Sequence, residues 1–203
     1  APAIFESFTD IFEEVEAINK IIYRAAAVTI AFWLLLLVCV FGNAPSYSLD
    51  YLHDNEREIA KIAFFMLLVA NGLLAMSNLN GLRLYGQPSG LLVAAFTVQL
   101  ISMTTNALLA FAPSVVMVDP FTKSRVFFLR WCEWIPLGGF MTFLCEMLDV
   151  KREKGALTMP IVNAVAQSVS CMGGLVLPLC SSFTTWCVVM AVAVVAYLLI
   201  FPQ

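Results

Sequence analysis

Arg130 and Glu133 stand three residues apart in the stretch "FFLRWCEWIPLGGF", residues 127 to 140, which carries no other charge. On a helix this spacing brings a guanidinium and a carboxylate to one face, where they can hold each other or balance a third charge. A charged side chain at bilayer depth costs roughly 2.5–3.5 kcal/mol on insertion scales unless it is paired or hydrated. The pair is therefore either a functional site or a structural clamp near the membrane surface, to which Arg130 can snorkel. Trp131 and Trp134, also three residues apart, add two large aromatic surfaces beside the acid. A pocket for a flat conjugated ligand requires such walls.

Other chemistries find little support. His53 is the only histidine, and no C-x-x-C pair or His/Cys cluster suggests a metal. Cys39, Cys132, Cys145, Cys171, Cys180 and Cys187 all fall in or beside apolar runs, so they read as buried small hydrophobes and not as disulfides. No nucleophile-base arrangement or phosphate-binding loop is present, and no enzymatic activity is expected within these residues. The net charge of -3 argues against a nucleic-acid partner.

The elements that must position the pair follow from composition. With 61% hydrophobic and 12% charged residues, and a mean hydropathy of +0.89, the chain reads as an all-α, polytopic transmembrane helical bundle embedded in a lipid bilayer. Spanning the hydrocarbon core takes roughly 20 apolar residues. Measured against that length, the uncharged runs give six spans, at about 25–43, 61–82, 89–113, 126–148, 155–179 and 183–201. After Lys154 no charge follows, and Pro178 with Ser181 and Ser182 marks the turn between the last two spans. Residues 1–24 form an acidic amphipathic helix with Ile4, Phe8, Ile11, Phe12, Val15, Ile18 and Ile22 on one stripe. Its acidic face argues against anionic headgroups, leaving a homo-oligomer or other protein contact, or a plain juxtamembrane leader. Lys20, Arg24, Arg83, Lys151, Arg152 and Lys154 on one side outnumber Arg57, Lys61, Lys123 and Arg125 on the other, which favours a cytoplasmic N-terminus. Asn71, Asn78, Asn80, Asn106, Asn163 and Gln167 are suited to hydrogen bonds between helices. Nothing at the N-terminus looks like a cleavable signal peptide.

Arg130-Trp131-Cys132-Glu133-Trp134 resembles the third helix of microbial (type 1) rhodopsins, with Trp131 where Tyr is usual. "SMTTNALLAFAP" before it and "DVKREKG" after it are similar to the family's second helix and next loop, so the likeness runs from residue 90 to about 180. The resemblance implies retinal as cofactor, with Glu133 as the counterion of the protonated Schiff base and Arg130 holding that carboxylate. It also implies that Trp134 packs on the polyene, that Trp131 closes the pocket, and that Cys171, Gly173 or Gly174, and Trp186 line the ring end. Glu at the counterion position and the leading span at 25–43 look like the eight-helix rhodopsins linked to an enzyme (a cyclase, phosphodiesterase or kinase) or to a bestrophin-type channel. The departures disfavour pumping: Ile-Pro-Leu-Gly-Gly follows Trp134, and Leu144 falls where pumps carry an internal proton donor. The family's retinal-bonding lysine sits on its last helix, whereas Lys20, Lys61, Lys123, Lys151 and Lys154 all lie at span ends or in loops. The expectation is the N-terminal six helices of a light sensor, two helices short. The alternatives are a membrane subunit without chromophore and a light-gated or other ion channel or transporter using the charged pair.

Overall fold

The computed structural model describes residues 2–43, 49–50, 52–85, 89–114, 116–148 and 157–200; for 2–14, 43, 49–50 and 81–85 it describes the backbone alone. The expected stripe from Ile4 to Phe12 and the loop Asp149–Lys154 thus lie outside the described side chains and residues. The described residues form six α-helices: α1 (Pro2–Asn43), α2 (Asp54–Tyr85), α3 (Gly90–Phe111), α4 (Phe128–Met147), α5 (Thr158–Val176) and α6 (Phe183–Leu198). Three short strands accompany them: β1 (Leu49–Asp50), β2 (Val116–Val118) and β3 (Arg125–Phe127).

Among the described residues, four stretches are long and apolar enough to cross a membrane, Val15–Gly42, Asp54–Asn80, Gly90–Phe111 and Thr158–Leu179. Helix α4 has 20 residues but carries Arg130, Glu133 and Glu146, and α6 is a shorter apolar helix of 16 residues. The architecture is an all-α transmembrane bundle, and the chain is an integral membrane protein. Its outward residues fit that medium: Leu35, Val38, Phe65, Met66 and Val69 are all exposed, as lipid-facing side chains must be.

Helix α1 is unbroken for 42 residues because no proline or glycine interrupts the sequence between Pro2 and Gly42. The acidic leader and the first span are one element. Helix α2 starts with Asp54 and Glu56 in its first turn, where carboxylates favour the helix dipole. Glu56 also accepts a hydrogen bond from the His53 backbone N–H at 2.7 Å, the reciprocal half of a capping box. Helix α3 is capped from outside itself, since the Gly90 N–H donates to Asn19 Oδ1 of α1 at 2.8 Å. A Cβ at position 90 would collide with that Asn19 oxygen.

The strands form one antiparallel sheet in the order β1-β2-β3. Val116, Met117 and Val118 pair with Phe127, Val126 and Arg125; the three valines and Phe127 are residue types that suit a pleated surface. This hairpin occupies the segment between the expected spans 89–113 and 126–148. Its turn requires a left-handed residue, Lys123, at φ 61°.

Helix α4 packs against α1, α3 and α5, while α2 packs on α3 and α6 on α5, so α2 and α6 stand at the two ends of the row. The main core joins Trp33 and Leu37 of α1, Ile101 and Leu109 of α3, Phe128, Leu129 and Cys132 of α4, and Val116 and Met117 of the sheet. Helices α4 and α5 meet closely at Gly139, where a Cβ would run into Ser168 Oγ and the Ala164 carbonyl. Ser168 donates to the Ile135 carbonyl at 3.0 Å across this contact.

Candidate functional site

Helix α4 begins directly after β3, so the sheet fixes where its first turn starts and places Arg130 near that end. Glu133 lies one turn deeper. Their spacing gives the expected ion pair, Arg130 Nη1 to Glu133 Oε2 at 3.0 Å. Helix α3 completes the arrangement. Arg130 Nη2 donates to Asn106 Oδ1 at 2.6 Å, Asn106 Nδ2 donates to the Ser102 carbonyl at 2.8 Å, and the Ser102 hydroxyl donates to Glu133 Oε1. The four residues close a polar ring between two helices.

The ring is dry on one side and open on the other. Glu133 is 4% exposed and Asn106 3%, whereas the Arg130 side chain is 35% exposed. Both Glu133 oxygens accept a hydrogen bond, as a buried carboxylate requires. Beyond Arg130 lies a cavity of about 170 Å³ whose walls include Glu56 and Ala60 of α2, Leu109 of α3, Phe127 of β3 and Arg130 itself. Glu56 Oε1 pairs with Arg125 Nη1 at this end, and the Arg125 guanidinium stands 5.7 Å over the Phe127 ring.

Trp131 faces elsewhere. Two residues along a helix are about 200° apart, so Trp131 points away from the side on which Glu133 meets α3. It lines a cavity of about 370 Å³ between α4, α5 and α6, together with Gly173, Gly174, Met190, Ala193 and Tyr197. Gly174 carries no side chain where the Trp131 indole already sits, and a Cβ on Gly173 would meet Ala193. Trp134 is 59% exposed and stands edge-on to Trp131 with ring centroids 6.2 Å apart.

Two of the expected lining residues lie apart from this cavity. Cys171 accepts from Gln167 Nε2 at 3.5 Å and packs under Gly138 of α4. Trp186 sits in the first turn of α6, stacked on Phe183 with ring planes 8° apart. Its indole N–H donates to Asp119 Oδ2 in the hairpin turn at 2.9 Å. Asp119 is 3% exposed, and its Oδ1 accepts from the backbone N–H groups of Phe121 and Thr122 at 2.9 and 2.7 Å. Burial pushes its carboxyl up, but the Thr122 N–H, the Trp186 indole and the Phe121 N–H outweigh it and hold the group below its ordinary value.

The structure thus brings Arg130 and Glu133 together, and Trp131 with Gly173 and Gly174, on opposite sides of α4. Ser102 was not read as a site residue, and Asn106 was read only as a bond between helices. Their signal was present: residues four apart on α3 share one helical face, and that face meets the pair on α4.

Solved structures share this architecture. The transmembrane domain of a rhodopsin phosphodiesterase from Salpingoeca rosetta is 15% identical with a TM-score of 0.66, over 88% of this chain and 66% of that one. The same protein's transmembrane domain with its linker region gives 14% identity and a TM-score of 0.58, over 89% and 57%. A thermophilic rhodopsin from Rubrobacter xylanophilus gives 15% identity and a TM-score of 0.55, over 71% and 61%. The chain therefore spans less than two thirds of each of these structures. No protein-family model and no curated protein matches the sequence. At such identities the shared property is the fold, which is microbial rhodopsin-like.

Proposed function

We propose that this chain is the rhodopsin-like portion of a retinal-binding, light-sensing membrane protein that passes its signal to an attached enzyme or channel. The observation that carries this reading is the buried Glu133, held by Arg130 and Ser102 at a depth where charge is retained only for use or for pairing. Retinal, when bound, supplies a light-driven double-bond isomerisation and a cationic nitrogen. The residues present offer such a group two features, set on different faces of α4. Glu133 offers a fixed negative charge to a cation delivered from a neighbouring segment. Trp131 over Gly174 offers an aromatic wall beside a space of about 370 Å³ that a flat apolar body can enter.

The chain's own part in the mechanism is electrostatic. Arg130 and Ser102 orient the Glu133 carboxyl, each holding one of its oxygens. Arg130 is bonded both to Glu133 and, through Asn106, to α3, so it would feel any change in the charge that Glu133 has to balance. Through these bonds such a change would bear on the contact between α3 and α4. An effector fits the Salpingoeca rosetta neighbour, which is a rhodopsin phosphodiesterase; a cyclase, a kinase or a bestrophin-type channel would take the same input.

A second reading, a membrane subunit without chromophore, is favoured by one feature: Glu133 is already balanced by Arg130 and does not line the Trp131 cavity. Adding all-trans retinal to the complete protein separates the two. The light-sensor reading expects a visible absorption band that moves in Glu133→Gln, because the cation loses its nearby anion. No band in the intact protein leaves the subunit reading standing.

A further inference from the structure

The cavity of about 170 Å³ has a guanidinium, Arg130, and a carboxylate, Glu56, on its walls. A water takes about 30 Å³ of liquid volume, so the space suits several waters. Arg130 has five N–H donors, of which its bonds to Glu133 and Asn106 use two. Glu56 has about four acceptor positions; the His53 N–H takes one on one oxygen and Arg125 one on the other. Both groups therefore keep hydrogen-bonding capacity beside the same space. The guanidinium stands at the boundary, with its side chain 35% exposed against 5% for Glu133.

We infer that Arg130 is shared, through water in this cavity, between Glu133 on α4 and Glu56 on α2, so that Glu56 is a positioning residue setting how firmly Arg130 holds Glu133. The charges alternate, Arg125, Glu56, Arg130, Glu133, from the sheet into the fourth helix. Among the described residues, α3 contributes the uncharged Ser102 and Asn106 to the ring, α5 carries no charged side chain, and α1 adds the apolar Trp33 and Leu37 to the core. Removing Glu56 leaves Arg130 wholly to Glu133. Removing Arg125 frees Glu56 to draw Arg130 away. The inference rests on reading Arg130 and Glu133 as the working pair, and it holds with or without retinal.

The test uses the full-length protein, free of retinal, in lipid nanodiscs, with glutamate ¹³C-labelled at the side-chain carboxyl. Glu133 is assigned by its loss in Glu133→Gln, and its protonation midpoint is followed by NMR. Glu56→Gln keeps the helix cap, since Gln also serves at that capping-box position. An opposite charge within reach moves a carboxyl by about 1–3 pH units; for a shared one we expect Glu56→Gln to lower the midpoint by about one unit and Arg125→Gln to raise it. In an Arg130→Gln background the Glu56→Gln shift disappears. Shifts of the same sign, no shift, or a Glu56→Gln shift that persists without Arg130 overturn the sharing. The midpoint is read without chromophore, so an absent absorption band and an unresponsive Glu133 are separate failures.

Discussion

Arg130→Leu isolates the interaction on which the site depends. The substitution leaves Glu133, 4% exposed, with the Ser102 hydroxyl as its remaining partner in the ring. Stripping one member from a buried ion pair costs about 3–5 kcal/mol, because the other charge stays behind uncompensated. The Arg130 side chain is 35% exposed, so water already screens part of the attraction, and about 2–3 kcal/mol is the better expectation. Asn106 Oδ1, on a residue 3% exposed, loses its donor as well, which adds about 1 kcal/mol. The sum is a loss of about 3–4 kcal/mol at neutral pH. Replacing both partners by apolar groups of similar size removes the stranded charge, and such replacements run from neutral to stabilising. Arg130→Leu/Glu133→Leu should therefore recover about 2 kcal/mol relative to the sum of the single variants. Reversible unfolding in mixed detergent micelles, followed by tryptophan fluorescence, gives the three free energies. Additivity within about 0.5 kcal/mol would show that the two side chains act independently, and the ring would then contribute nothing as a unit.

Gly139→Ala is expected to cost about 1–3 kcal/mol in the same unfolding assay, since the new methyl meets the Ala164 carbonyl and a Ser168 hydroxyl fixed by its bond to Ile135. Ser168→Ala in that background should return part of the loss. At the hairpin, the Asp119 carboxyl is held below its ordinary value, so its contribution is complete above about pH 4 and is lost as pH falls through the lower folded value. Acidification through that window should change the environment of Trp186, read by fluorescence in a protein whose other tryptophans are Phe. Asp119→Asn should show the weakened contact at every pH and no transition there.

The helices were legible because charges bound them. Arg83 and Asp119 bracket an uncharged run too long for anything but a span, and no proline or glycine breaks α1 before Gly42. The Arg130–Glu133 contact followed from helical spacing alone, since local geometry decides it. What stayed hidden depends on partners distant in the chain. Ser102 meets Glu133 across 31 positions and Trp186 meets Asp119 across 67, and no local pattern announces either bond. The hairpin was obscured differently. Val116-Met117-Val118 continues an apolar stretch and gains its strand character only by pairing with Arg125-Val126-Phe127. Trp131 and Glu133, close in sequence, stand on different faces because a helix turns about 200° over two residues.

The length of α1 has its own consequence. At 1.5 Å per residue, 42 residues extend about 63 Å, twice the roughly 30 Å of a hydrocarbon core. About half of a stiff rod must therefore stand clear of the lipid. Because the rod is clipped to the first turn of α3 at Asn19, near its midpoint, a sideways push on the protruding arm pivots there and is delivered to the helix that carries Ser102 and Asn106.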